Sequence, residues 1–203
     1  MHLGHLRLAE EACLHLGLSG VRWIPAGQPP HRDCPDVTAD RRLAMVARST
    51  AQNPLFSVDA SEVHAAEPSY TVHTLERLRA ELGPEQPLVL LVGADAFAGL
   101  ITWHRWSEIL SLAHLGVSHR PGFPIDVHSL PPPLAAVYGR CNQVDPACLR
   151  QQAAGQIVSF AMTQLAISAT QIRKLLRNGH SARYLLPDAV LDYITDHQLY
   201  RTS

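Results

Sequence analysis

The chain has 203 residues, enough for one domain with a full core, and is 46% apolar and 17% charged, the balance of an ordinary globular protein. A formal net charge of −1 excludes a general attraction to nucleic acid or to an anionic membrane surface. No apolar run approaches the roughly 18 residues of a membrane span, and the first residues lack a charged flank followed by an apolar block, so a cytoplasmic protein is expected.

The chain opens Met1-His2-Leu3-Gly4-His5. Leu6, Leu8, Ala9, Ala12, Cys13 and Leu16 then make a helical stripe over 6–16, with Gly17 and Gly20 closing it. An apolar run over 21–25 reads as a buried strand and Gln28-Pro29-Pro30-His31-Arg32 as a loop. Thr38 or Asp40 caps a helix over 41–51, residues 56–63 alternate as a strand, and 69–82 form a clear helix ended by Gly83-Pro84.

Leu88-Val89-Leu90-Leu91-Val92 gives the strongest strand signal, since five aliphatics in a row suit a strand covered on both faces. A further strand is expected over 114–118, closed by Arg120-Pro121-Gly122. The segment from there to about residue 155 is proline-rich and reads as irregular. A strand over 157–162, a helix over 169–177 and a last helix over 188–197, with Pro187 near its start, complete the chain. Strands alternating with helices imply right-handed crossovers and an α/β fold with a doubly wound, mainly parallel sheet and helices on both faces. One domain over 1–203 is expected, with 167–203 as a helical C-terminal part.

Cys13, Cys34, Cys141 and Cys148 form no C-x2-C pair and no zinc spacing, so packing thiols are expected and no metal centre. His15, His64, His128 and His197 stand alone in sequence and suit the surface.

Two constellations carry chemistry. His2 and His5 are three apart at the head of a helix, where positions i and i+3 share a face and the positive end of the dipole favours a polyphosphate. In Ile167-Ser168-Ala169-Thr170-Gln171-Ile172-Arg173 a strand gives way to two hydroxyl residues, a helix start and an arginine. Ser168 or Thr170 suits an N-cap, and capping-region N–H groups, a hydroxyl and a guanidinium can also converge on phosphate oxygens. Two such sites would bracket a nucleoside triphosphate.

The pairing of H-x-G-H with I-S-x-T-x-I-R resembles the adenylyltransferases of the nucleotidyltransferase superfamily. Pro29-Pro30-His31-Arg32, Pro68-Ser69-Tyr70-Thr71 with Thr74-Leu75, Gly93-x-Asp95, Thr102-Trp103 and Arg120-Pro121-Gly122 occur in the order seen in the bacterial nicotinate-nucleotide adenylyltransferase family. The resemblance runs nearly end to end, through Leu186-Pro187 to the closing Gln198-Leu199-Tyr200-Arg201.

The resemblance implies a Rossmann-like fold and one reaction of pyridine-nucleotide synthesis. The adenylyl group of ATP passes to nicotinate mononucleotide, giving deamido-NAD and pyrophosphate, with Mg²⁺ bound alongside ATP. It implies that His2, His5 and Arg173 are catalytic, with the two histidines on the ATP phosphates and Arg173 gripping the β- and γ-phosphates. Gly4, Gly93, Asp95, Ser168 and Thr170, and more weakly Arg120, would bind ATP, Gly93 by letting the backbone approach and Asp95 by accepting ribose hydroxyls. Tyr70, Thr71 and Trp103 would frame the pyridine ring, and His31 and Arg32 would reach phosphate. Trp103 also suits the core, and Asp95 and Thr71 also suit helix caps.

Members of this family begin with an apolar strand and a Gly-Gly-Thr-Phe-Asp-Pro turn before H-x-G-H. Met1 stands here in the place of the aliphatic residue before the first histidine. The expectation is that a central first strand is missing from this chain and that the natural start lies upstream. The alternatives are another small-molecule adenylyltransferase, acting on nicotinamide mononucleotide or phosphopantetheine, and a nucleotide-binding module without turnover. An aminoacyl-tRNA synthetase fragment shares H-x-G-H, but the chain is too short, lacks a lysine-rich second signature and has no basic surface for tRNA.

Overall fold

The computed structural model describes residues 1–29 and 36–200. Pro30, His31, Arg32, Cys34 and Arg201 therefore lie outside the described residues. The chain divides into two compact units. The first comprises Met1–Ala9, Ser19–Ser69 and Gln164–Ser203, and the second Glu10–Leu18 and Tyr70–Thr163.

The opening helix α1 spans Leu3–Leu16 and takes in Leu3, Gly4 and His5, so the H-x-G-H segment starts the helix rather than preceding it. The first residues of α1 belong to the first unit and those from Glu10 to the second; the first unit also holds β1 (Val21–Trp23), α2 (Ala39–Thr50), β2 (Phe56–Val58) and α3 (Ser61–His64), with two further helices near the C-terminus. Thr38 caps α2 by accepting the Arg41 N–H at 3.4 Å, which settles the choice between Thr38 and Asp40. Residues 56–63 do not stay extended: the strand ends at Val58, and Asp59 accepts the Ser61 N–H at 2.9 Å in a turn into α3. An aspartate offering its carboxylate two residues on is the local reason for the break.

The second unit holds α4 (Thr71–Leu82), β3 (Val89–Gly93), α5 (Ala94–Ala98), α6 (Ile109–Leu112), β4 (His114–His119), α7 (Pro132–Cys141), β5 (Asn142–Gln143) and β6 (Ile157–Ala161). Short 3-10 turns at Leu100–Thr102 and Trp106–Glu108 lie between α5 and α6. Helix α4 begins two residues later than its sequence pattern suggests, because the Ser69 hydroxyl accepts the N–H groups of Gly27 and Gln28 instead of entering the helix. The proline-rich segment is not irregular throughout. Pro131 precedes the ten-residue helix α7, whose first residues are Pro132 and Pro133, where a missing N–H costs nothing.

All strand pairs among the described residues are parallel, as alternating strands and helices imply. The described strands make two sheets. β1 pairs with β2 in the first unit, and the second unit has the order β3-β4-β6-β5. The strand expected over 88–92 forms as β3, partly buried along most of its length. β3 ends its sheet, whereas β4, between β3 and β6, is buried from His114 to Ser118.

The core of the second unit gathers Val92, Phe97, Leu100, Ile109, Leu115, Val117, Leu134 and Ile157, most of them with no exposed surface. A smaller cluster sets Ala12 and Leu16 of α1 against Leu149, Val158 and Phe160. In the first unit α8 (Ala169–Arg177) and α9 (Asp188–Asp196) pack Ile172, Val190 and Ile194 with Met45 of α2 and Leu199. No helix among the described residues is long and apolar enough to cross a membrane.

Candidate active site

The head of α1 is built from its own side chains. His2 stands at the N-cap position, and its carbonyl accepts the N–H groups of His5 and Leu6 at 3.0 and 3.4 Å. The His5 side chain, three residues on, reaches back: its Nδ1 accepts the His2 backbone N–H at 3.4 Å. This is the return half of a capping box, made by an imidazole in place of a glutamate. The Leu3 N–H donates to the Leu185 carbonyl at 3.0 Å, which anchors the helix start on the C-terminal part of the same unit.

The imidazoles of His2 and His5 stack with centroids 3.8 Å apart. Burial first, then the neighbouring His5 and the α-amine, push the His2 imidazole down to about 4. Burial and the α-amine push His5 down to about 4 as well, although its side chain reaches the surface. Both rings are therefore neutral at pH 7, and each carries one N–H donor. With Nδ1 of His5 accepting, its proton belongs on Nε2. His2 is 7% exposed, and its buried Nδ1 has no hydrogen-bond partner among the described residues. Gly4 makes this packing possible: a Cβ there would lie 3.1 Å from His2 Nδ1 and 3.2 Å from its Cε1.

In the same unit the segment at 167–173 behaves as a capped helix start. Ser168 is the N-cap of α8 and accepts the Gln171 N–H at 3.1 Å, while Thr170 accepts from Arg173 at 3.4 Å. Arg173 also faces Asp36, with Nε 3.7 Å from Oδ2. Its charge is close enough to the α-amine of Met1 to help burial hold that amine below its ordinary value. His2, Gly4, His5, Ser168, Thr170 and Arg173 thus share one unit.

Gly93, Asp95, Tyr70, Thr71, Trp103 and Arg120 belong to the second unit. Gly93 closes β3 and leads into α5, with Asp95 exposed in that helix's first turn. A Cβ on Gly93 would meet nothing nearer than Ser118 Oγ at 4.0 Å, so the fold itself does not demand a glycine there. Tyr70 takes the N-cap position of α4 without a side-chain bond, and Thr71 is the first helical residue rather than the cap. Trp103 is partly buried against the core of this unit, and Arg120 is exposed just past β4. Arg105, two residues after Trp103, holds Glu76 at 2.7 Å and Glu108 at 2.5 Å and so ties this segment to α4.

Several residues at these places have no motif to announce them. Asp36 and Arg177 complete the ion cluster around Arg173; the i, i+4 spacing of Arg173 and Arg177 was readable, but Asp36 was not. His73 and His104 surround the Tyr70 ring, with centroids 5.6 and 4.4 Å away. His114 is fully buried, and its ring spans the Gln152 carbonyl at 2.9 Å and the Gln156 N–H at 3.0 Å, a structural role.

Parallel sheets flanked by helices, with paired imidazoles at one helix start and a hydroxyl-and-arginine pair at another, define an α/β nucleotidyltransferase. The chain belongs to the cytidylyltransferase-like family, whose model matches residues 1–175, and within it to the nicotinate-nucleotide adenylyltransferases. A protein of Dechloromonas aromatica (strain RCB) that carries the name probable nicotinate-nucleotide adenylyltransferase is 68% identical over all of this chain and 94% of its own length. One of the same name from Pseudomonas paraeruginosa is 47% identical over 99% of this chain and 92% of its own. Among solved structures, nicotinic acid mononucleotide adenylyltransferase of Plasmodium falciparum complexed with NaAD shares the fold at a TM-score of 0.70. That likeness comes with 13% identity and covers 98% of this chain and 91% of the other.

Proposed function

We propose that the chain transfers the adenylyl group of ATP to nicotinate mononucleotide, releasing pyrophosphate and forming deamido-NAD. The observation that carries this is the 68% identity to a relative of that name along the whole chain, joined to intact His2, His5 and Arg173. The chemistry suits these residues. The attacking group is a phosphate, already anionic at neutral pH, so no general base is needed. Catalysis then consists of holding the two substrates in line and of meeting charge as it develops on the α-phosphate and the leaving pyrophosphate.

Neutral imidazoles fit that task as N–H donors that need no proton exchange with solvent. His5, with Nδ1 fixed as an acceptor, presents Nε2–H to phosphate oxygen. Arg173 and the start of α8 hold the far phosphates. Asp95 accepts ribose hydroxyls, Arg120 adds a weaker contact to ATP, and Tyr70, Thr71 and Trp103 receive the pyridine. Mg²⁺ bound with ATP would supply charge neutralisation on its phosphates, as a hard cation held by phosphate oxygen and water would.

The test is product identification by mass spectrometry after incubating the full chain with ATP, Mg²⁺ and one acceptor at a time. Deamido-NAD from nicotinate mononucleotide, in large excess over product from nicotinamide mononucleotide or phosphopantetheine, is the expected result. Preference for either other acceptor would overturn the acid assignment. Binding of a non-hydrolysable ATP analogue without product from any acceptor would point to a nucleotide-binding protein instead.

A further inference from the structure

Asp36 places one carboxylate oxygen between two arginines. Its Oδ2 lies 2.7 Å from Arg177 NH2 and 3.7 Å from Arg173 Nε. The two arginines are i and i+4 on α8, so their guanidinium groups share a face and repel each other unless an anion stands between them. Tyr200, whose phenol burial pushes up, sits close enough to feel Arg173, Asp36 and Arg42. Arg42 is already committed, donating to the carbonyls of Val37, Ala26 and Gly27. Asp36 is thus a carboxylate shared by Arg173 and Arg177.

We propose that Arg177 is a second polyphosphate-binding residue and that Asp36 Oδ2 occupies, in the free protein, the place of a phosphate oxygen held between Arg173 and Arg177. This rests on the reading that Arg173 grips ATP. A single oxygen shared by two guanidinium groups is the arrangement a phosphate oxygen adopts between paired arginines. A polyphosphate brings more negative charge than a carboxylate and several oxygens, so it displaces Asp36 and bonds both arginines at once. The three side chains are between 33% and 46% exposed, so the exchange needs no core rearrangement. Asp36 thereby competes with ATP and weakens its binding.

The experiment is calorimetric titration of the full chain with a non-hydrolysable ATP analogue and Mg²⁺, alongside thermal melts that verify folding. Asp36→Asn is expected to tighten binding by about 3- to 10-fold, and Arg177→Gln to weaken it by about 5- to 20-fold, the range for partly exposed charged hydrogen bonds. Arg177→Lys, which keeps the charge, is expected to recover part of that loss. In the double variant the gain from Asp36→Asn should shrink, because one of the two cations that share Asp36 is gone. An Arg177→Gln affinity within twofold of wild type, while Arg173→Gln binds at least tenfold more weakly, would overturn the proposal and leave the role of Arg173 standing. An unchanged affinity in Arg173→Gln would remove that role, and the proposal with it.

Discussion

The imidazole of His5 accepts a hydrogen bond from the backbone of His2 at 3.4 Å while the two rings stack 3.8 Å apart. One interaction caps the helix, and the same interaction fixes which nitrogen of His5 bears the proton. Under the proposed function the H-x-G-H spacing serves structure and chemistry together. Position i+3 lets the second ring reach back to the N-cap, and the glycine between leaves room for the first ring to lie over the helix start.

That packing has a consequence for stability. His2 is held neutral at about 4 in the folded chain against an ordinary 6.5, so below pH 6.5 the unfolded chain binds a proton that the folded chain refuses. Stability is fully present above 6.5 and is lost as pH falls from there toward 4. The expected loss between pH 7.5 and 5.5 is about 1 kcal/mol from His2. His5 adds less, because solvent screens its exposed ring, and buried His114 acts in the same direction. Thermal melts across this range should show a shallower pH dependence for His2→Gln than for wild type, and identical slopes would sink the idea.

Gly4→Ala separates folding from chemistry. Alanine is the better helix former by about 1 kcal/mol, so the variant is expected to melt at or above the wild-type temperature. Its methyl group would stand 3.1 Å from His2 Nδ1, and the ring must move by a few tenths of an ångström, taking the stack with it. Turnover is expected to fall about tenfold or more, since catalytic donors are sensitive to small displacements. A variant that is both more stable and fully active would show that the placement of His2 does not matter.

Arg79 is the structural counterpart of the site arginines. Its guanidinium donates to the carbonyls of Leu112, Gly83, Pro84, Gln86 and Ala153, drawing the end of α4 and the turn before β3 onto two other segments of the second unit. A lysine cannot reproduce that fork. Arg79→Lys is expected to cost about 2–3 kcal/mol, read as a lower urea midpoint at unchanged slope. A midpoint equal to wild type would mean that water can replace these bonds.

Most strands and long helices were legible because their apolar spacing carries them. α8 and β3 fall within a residue of their sequence patterns. The failures have local causes. Asp59 ends β2 early through a side-chain turn, and prolines that read as breakers open α7. That β4 rather than β3 is the more deeply buried strand was not legible, because burial on a sheet is decided by neighbours and a sequence does not display them. In the site, the histidine pair and the Ser168–Arg173 run were visible as motifs. Asp36 and His104 were not, since they come to Arg173 and Tyr70 from other segments, and His73, at i+3 from Tyr70 on α4, belongs to no recognised motif. His31 and Arg32, singled out on sequence, lie outside the described residues.

The most direct test is steady-state pyrophosphate release by the full chain supplied with ATP and Mg²⁺, with and without nicotinate mononucleotide, for wild type and His5→Ala. The account expects release only when both nucleotides are present, and a loss of about 10²–10³ in His5→Ala at a nearly unchanged melting temperature, as for other lost charge-stabilising donors. No release by the wild-type chain from the two nucleotides together, or a His5→Ala rate within twofold of wild type, would contradict it.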